Sequence, residues 1–158
     1  MNSRPTCHIF LIRHASAGKR TAAQSDHLRE LDDTGLRQAK NIARSLSAYS
    51  IDHIMTSPAV RCVETVQPLA DELGLTVDVS EALWEGQGPM PALSLVKRLL
   101  AADSTAALCS HGDIIPELLR TLEREHGIAT GHQCAKASVW ALDGYGGTVR
   151  SARYLGTP

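Results

Sequence analysis

The sequence predicts an α/β fold: a three-layer α/β/α sandwich on a mainly parallel sheet with an antiparallel edge. Three observations carry this. Short apolar runs that read as buried strands alternate with segments whose apolar residues recur every three to four positions. Two of those runs break off at a histidine, His14 and His111. The last stretch of chain alternates like two strands of a hairpin around Gly144-Tyr145-Gly146-Gly147. With 158 residues, 43% of them hydrophobic and 21% charged, the chain is expected to form a single domain over residues 1–158 with an ordinary core.

Each element has a local reason. Cys7–Arg13 (CHIFLIR) is continuously apolar, as a strand covered on both faces must be. A polar loop over residues 18–29 leads to an amphipathic helix through Leu36, Ala39, Ile42, Ala43, Leu46 and Tyr49, with Asp33 or Thr34 as N-cap. Residues 52–57 (DHIMTS) read as a second strand. Ser57-Pro58 then reads as a capping serine and a first-turn proline of a helix that turns Val60, Val63, Val66, Leu69 and Leu73 inward. Pro68 removes one helical hydrogen bond, which predicts a kink near Gln67, and Gly74 should end the helix. Residues 76–79 suggest a third strand, residues 81–91 a loop, and residues 93–102 a helix. Residues 105–110 (TAALCS) form the next buried strand and run directly into His111-Gly112-Asp113. A helix follows through Ile115, Leu118, Leu119 and Leu122.

Charge and cysteine content exclude several functions. Lysine plus arginine total 16 against 17 acidic residues, a net charge of −1, so the chain has no broad attraction for nucleic acid or for an acidic membrane. The N-terminal segment offers one basic residue, Arg4, and an apolar run from Ile9 to Ile12 that is too short for a signal peptide or a membrane span. Cys7, Cys62, Cys109 and Cys134 are widely spaced with no CxxC pair, which fits reduced thiols and a cytoplasmic protein. Cys7 and Arg13 have the CxxxxxR spacing of cysteine phosphatases, but the five residues between them belong to a strand and cannot curl their amides around a phosphate. Gly18-Lys19 lacks the remainder of a Walker A loop, and the seven histidines form no HExxH or HxH pair, so no zinc site is expected.

In a parallel sheet, ligands bind beyond the carboxyl ends of the strands. That rule brings His14 and His111 to one edge although they are 97 residues apart in sequence. Arg13 lies beside them, and Arg61 starts the helix that begins at the same edge. An arginine directly after a buried strand, and another near a helix N-terminus where the macrodipole disfavours a cation, both call for an anion. A bound phosphate satisfies the set.

LIRHA (residues 11–15), SPAVRCVET (residues 57–65) and SHGD (residues 110–113), in this order, resemble the three motifs of the histidine phosphatase superfamily, with the short SixA-type phosphohistidine phosphatases as the nearest branch. The resemblance implies a phosphoglycerate mutase-like fold and a cofactor-free, metal-independent phosphatase. His14 would be the nucleophile that becomes phosphorylated, while Arg13, Arg61, His111 and Gly112 would bind the phosphoryl oxygens. It also implies an acidic proton donor after the third strand. Glu85, in LWEGQG, fits that position, and Glu81 is the other candidate. Ala15 replaces the commoner glycine, and Ser16 and Ala17 stand where mutase-like relatives carry polar residues, which argues against mutase activity. The intervals between the motifs leave no room for a cap domain. The expected partner is therefore a phosphorylated protein; Gly18, Lys19, Arg20 and Arg29 read first as a solvated loop and, as the alternative, as a basic rim for that partner. A second resemblance, to the histidine phosphatase domain that follows a Nudix domain in some nucleotide hydrolases, makes nucleotides or other small phosphoesters the alternative substrate. A phosphoprotein-binding module without turnover is the alternative of another class. Oligomeric state is not readable from the sequence.

Overall fold

A computed structural model describes residues 5–128 and 130–158 of the chain, so Arg4 lies outside the described residues. Six strands form one sheet: β1 (Cys7–Arg13), β2 (His53–Thr56), β3 (Val77–Val79), β4 (Ala106–Ser110), β5 (Val139–Tyr145) and β6 (Thr148–Gly156), in the order β3-β2-β4-β1-β5-β6. The pairs β3–β2, β2–β4 and β4–β1 are parallel, whereas β5 and β6 add an antiparallel edge. Among the described residues four α-helices accompany them: α1 (Asp33–Leu46), α2 (Val60–Leu73), α3 (Met90–Ala101) and α4 (Ile114–His126). The α/β/α sandwich with a mixed sheet is thus the observed architecture.

β1 shows why the sheet needs helices on both faces. Phe10 and Ile12 join a core with Ile42 and Leu46 of α1 and Val66 and Leu69 of α2. Ile9 and Leu11 point the other way, into a core with Leu93 and Val96 of α3 and Leu118 and Leu119 of α4. Each such side chain, fully buried, contributes about 1.5–3 kcal/mol relative to exposure.

Several local expectations are corrected. The N-cap of α1 is Asp32, one residue before Asp33, and its carboxylate accepts from Gly35 N–H at 2.8 Å. Leu36 is 44% exposed rather than inward, and Tyr49 lies beyond the end of α1. Ser57 and Pro58 precede α2 instead of starting it: the N-cap is Ala59, whose side chain makes no cap bond. The buried face of α2 comprises Arg61, Cys62, Thr65, Val66, Leu69 and Ala70, so Val60 and Val63 are only partly covered. Pro68 lies inside α2, which ends at Gly74 as expected. Within the expected 81–91 loop, Glu81–Leu83 makes a 3-10 turn capped by the Ser80 hydroxyl. α3 begins at Met90, with a proline in its first turn.

What matters for the site is register. Arg13 pairs with Ser110 and Thr56 with Cys109, so β1, β4 and β2 finish level at one edge of the sheet. The residues that follow these strands are brought together there.

Candidate active site

His14 leaves β1 with its amide bonded to the Ser110 carbonyl at 3.1 Å, and His111 leaves β4 beside it. The two rings stand edge to face, 5.6 Å between centroids. Both are nearly inaccessible, at 6% and 2% exposure. His14 Nδ1 is 2.9 Å from the Ala15 carbonyl, which can only accept, so Nδ1 carries the proton. Nε2 is left with its lone pair and, among the described residues, no hydrogen-bond partner. Burial pushes the His14 pKa down to about 4; the bond to Ala15 opposes this, and the charges of Arg61, His111 and Arg13 reinforce it. The ring is therefore neutral at pH 7.

Arg61 occupies the second position of α2 and is 1% exposed. Its guanidinium donates to the Asp26 carbonyl oxygen at 2.9 Å and to Glu85 Oε2 at 3.2 Å, and lies 3.4 Å from Asp26 Oδ2. These partners compensate a cation that burial and the helix dipole both disfavour. Arg13 donates through Nη1 to the Cys134 carbonyl at 2.6 Å. Its Nε, like that of Arg61, is buried without an acceptor. Such orphaned donors cost about 1–3 kcal/mol each. A Cβ at position 112 would stand 2.8 Å from Arg13 Cζ, so only glycine allows the guanidinium to lie against the β4–α4 turn.

His111 is fixed from behind. Ser57 Oγ lies 2.7 Å from Nε2, and Cys62 Sγ 3.6 Å from the same nitrogen. On the other side of the ring, Nδ1 lies 3.4 Å from Arg61 Nη2 and 3.5 Å from Glu85 Oε2. Thr65 supports His14 from α2: its hydroxyl donates to the Arg61 carbonyl at 2.6 Å and accepts from Ala15 N–H at 2.9 Å.

These side chains open onto one cavity of about 510 Å³, lined by Arg13, His14, Arg61, Glu85, His111 and Gly112, with Arg20, Arg29, Lys136 and Asp113 around them. All six site residues expected from the sequence thus meet, including Glu85, whereas Glu81 is exposed and does not line the cavity. Of the expected rim, Arg20 and Arg29 line it and Gly18 and Lys19 do not. Asp26 binds Arg20, Arg29 and Arg61 together. Burial works against its ionisation, but the bond from Arg29 and the three positive charges hold its carboxyl below the usual range. Ser57, Asp26, Lys136 and Asp113 were missed as site residues. Ser57 reads as a helix cap, and Asp26 as a solvated loop residue whose arginine partner is 35 positions away. All four cysteines are free thiols. Among the described residues, no cluster of three or more His, Cys, Asp or Glu side chains is placed to hold a metal ion. No helix of the described residues is long and apolar enough to cross a membrane.

A neutral imidazole facing two guanidinium groups and a second imidazole can attack an electrophilic phosphorus while the cations hold its oxygens. Comparison with known proteins points the same way. Residues 9–89 match the histidine phosphatase superfamily (branch 1). An 8-oxo-(d)GTP phosphatase of Mycolicibacterium smegmatis is 29% identical over 157 residues, 95% of this chain and 48% of that protein. A probable phosphoglycerate mutase GpmB of Yersinia pestis is 33% identical over 81 residues, 49% of this chain and 37% of that protein. The chain therefore spans less than half the length of either relative. Among solved structures, the protein histidine phosphatase SixA complexed with tungstate superposes with a TM-score of 0.71 at 22% identity, over 93% of this chain and 96% of that one. Mycobacterial glucosyl-3-phosphoglycerate phosphatase does so with a TM-score of 0.71 at 18% identity, over 96% and 98%.

Proposed function

The chain belongs to the histidine phosphatase superfamily, and from that premise we propose that it is a phosphatase with His14 as nucleophile, acting on phosphohistidine carried by a protein. The observation that carries this is the unprotonated His14 Nε2 facing a cavity walled by Arg13, Arg61 and His111. Nε2 forms a bond to phosphorus as the bond to the leaving group breaks. Charge spread over the three equatorial oxygens is met by Arg13, Arg61 and His111, with Gly112 admitting Arg13 to the group. Glu85 is the proton donor when the leaving group is an alkoxide. It then takes a proton from the water that attacks the phosphohistidine, which releases orthophosphate and returns His14 to its starting form. These steps call for no metal or organic cofactor.

A protein-borne substrate is favoured by the rim. Arg20 lines the cavity with its side chain 72% exposed, and Lys136 stands with it, so the cationic edge faces solvent where a macromolecular surface can meet it. Phosphohistidine also suits the chemistry, since its imidazole departs with little help from an acid. A second reading, a nucleotide substrate, is favoured by the M. smegmatis relative, whose similarity extends over 95% of this chain.

The test is phosphate release by wild type, His14→Ala and Arg61→Ala from a histidine-phosphorylated carrier protein, a nucleotide and an aryl phosphate. We expect wild type to prefer the carrier. Arg61→Ala should lose 10²-fold or more, roughly the loss of one preorganised charge donor, and His14→Ala should show no turnover. Near-normal turnover by His14→Ala would sink the nucleophile assignment. Preference for the nucleotide would transfer the substrate to the second reading, and binding of the carrier without release would make the chain a binding module.

A further inference from the structure

Glu85 is held by its neighbours on both sides. Before it, the buried Ser110 hydroxyl donates to the Leu83 carbonyl at 2.7 Å. After it, Gly86 N–H donates to Asp113 Oδ2 at 2.8 Å. Between these anchors the Trp84 ring stands edge-on to His111, 5.9 Å between centroids. Ser110 and Asp113 flank His111 and Gly112, so the short turn that carries the second imidazole also ties down residues 83–86. That double tie keeps Glu85 Oε2 at 3.5 Å from His111 Nδ1 and 3.2 Å from Arg61 Nη2, at the wall of the cavity.

We propose that Ser110 and Asp113 are positioning residues that hold Glu85 over the leaving group, and that they thereby set which leaving groups the enzyme tolerates. The inference rests on the reading of Glu85 as proton donor. An alkoxide needs a proton on its oxygen as the P–O bond breaks, whereas nitrophenolate departs as the anion and a phosphohistidine protonated on its other ring nitrogen releases neutral imidazole. Loosening the 83–86 segment therefore penalises alkyl phosphates selectively, because a proton donor displaced by about 1 Å loses on the order of 10²-fold in rate.

Asp113 is the residue to change. It is exposed and makes no side-chain cap on α4, so its replacement leaves the core and the helix start intact. The experiment measures kcat/KM, which reports transfer to His14 and not the hydrolysis step common to all substrates, on p-nitrophenyl phosphate and on glycerol 2-phosphate for wild type, Asp113→Ala, Asp113→Asn, Glu85→Gln and the double variant Asp113→Ala/Glu85→Gln. The readout is the aryl-to-alkyl ratio. We expect Asp113→Ala to raise it about tenfold, one order within the range that a misplaced donor loses. Asp113→Asn keeps an oxygen to accept from Gly86 and should stay close to wild type. The double variant should match Glu85→Gln, since a residue that acts through Glu85 has nothing to add once Glu85 is disabled. A raised ratio in Glu85→Gln with an unchanged one in Asp113→Ala overturns the inference and leaves the proton donor in place. Equal effects of Asn and Ala at position 113 also overturn it, because charge and not the bond would then be at work. No rise in Glu85→Gln removes the proton donor assignment and this inference with it.

Discussion

His14 is useful uncharged, and keeping it so has a cost that the whole protein bears. Its folded pKa, about 4, lies below the 6.5 of a free imidazole, so between those values the unfolded chain binds a proton that the native site refuses. Stability therefore rises with pH across that window, by about 3 kcal/mol from this one ring. Urea unfolding at pH 7 and near pH 4 should show the fall in wild type, and His14→Gln should lose less by most of that amount. An identical fall in both would mean that the ring is not buried neutral. At this scale the sequence was partly legible. His14, Arg13, Arg61 and His111 sit at strand ends and a helix start, where position alone predicts convergence. Ser57 and Asp26 gave no such signal, because their roles depend on partners 54 and 35 residues away.

Among the elements, β1 and β4 were the easiest to read, since strands buried on both faces leave an unbroken apolar run. α2 was misread in its rotation. Apolar periodicity turned Val60 and Val63 inward, yet the helix buries Arg61, Cys62 and Thr65, because its first turn faces the cavity as well as the core. A polar residue that serves a site is invisible to a rule that places polar residues outside. α1 is fixed to the site by an equally unadvertised contact: a Cβ at Gly35 would stand 1.9 Å from the Ser16 carbonyl oxygen. Because that neighbour is backbone, Gly35→Ala should destabilise the protein by about 2–3 kcal/mol, at the upper end of overpacking costs. It should also weaken phosphate binding by moving the segment that follows His14. Thermal melts with and without inorganic phosphate would register both effects, and an unchanged melting temperature would refute the contact.

For the molecule as a whole, the sheet is common property of the two cores, and each core has its own tryptophan. Trp84 packs against the α1–α2 side and Trp140 lies within the α3–α4 side. If residues 1–158 behave as one domain, Trp84→Phe and Trp140→Phe, each leaving a single reporter, should give urea transitions that coincide with one another and with the loss of helical circular dichroism. Separate midpoints would divide the chain into two units. The alternation of strand and helix made this architecture legible, whereas the strand order β3-β2-β4-β1-β5-β6 was not, since nothing local to β1 says that its neighbours are β4 and β5.

The parallel pairing of Arg13 with Ser110 has a kinetic consequence as well. It joins segments almost a hundred residues apart, so closing that loop carries an entropic cost, and contacts of that kind slow folding. Until β1 and β4 lie side by side, the two imidazoles have no common address. During refolding, the ability to hold a phosphate should therefore return in step with the pairing of β1 with β4, and not with the formation of the helices.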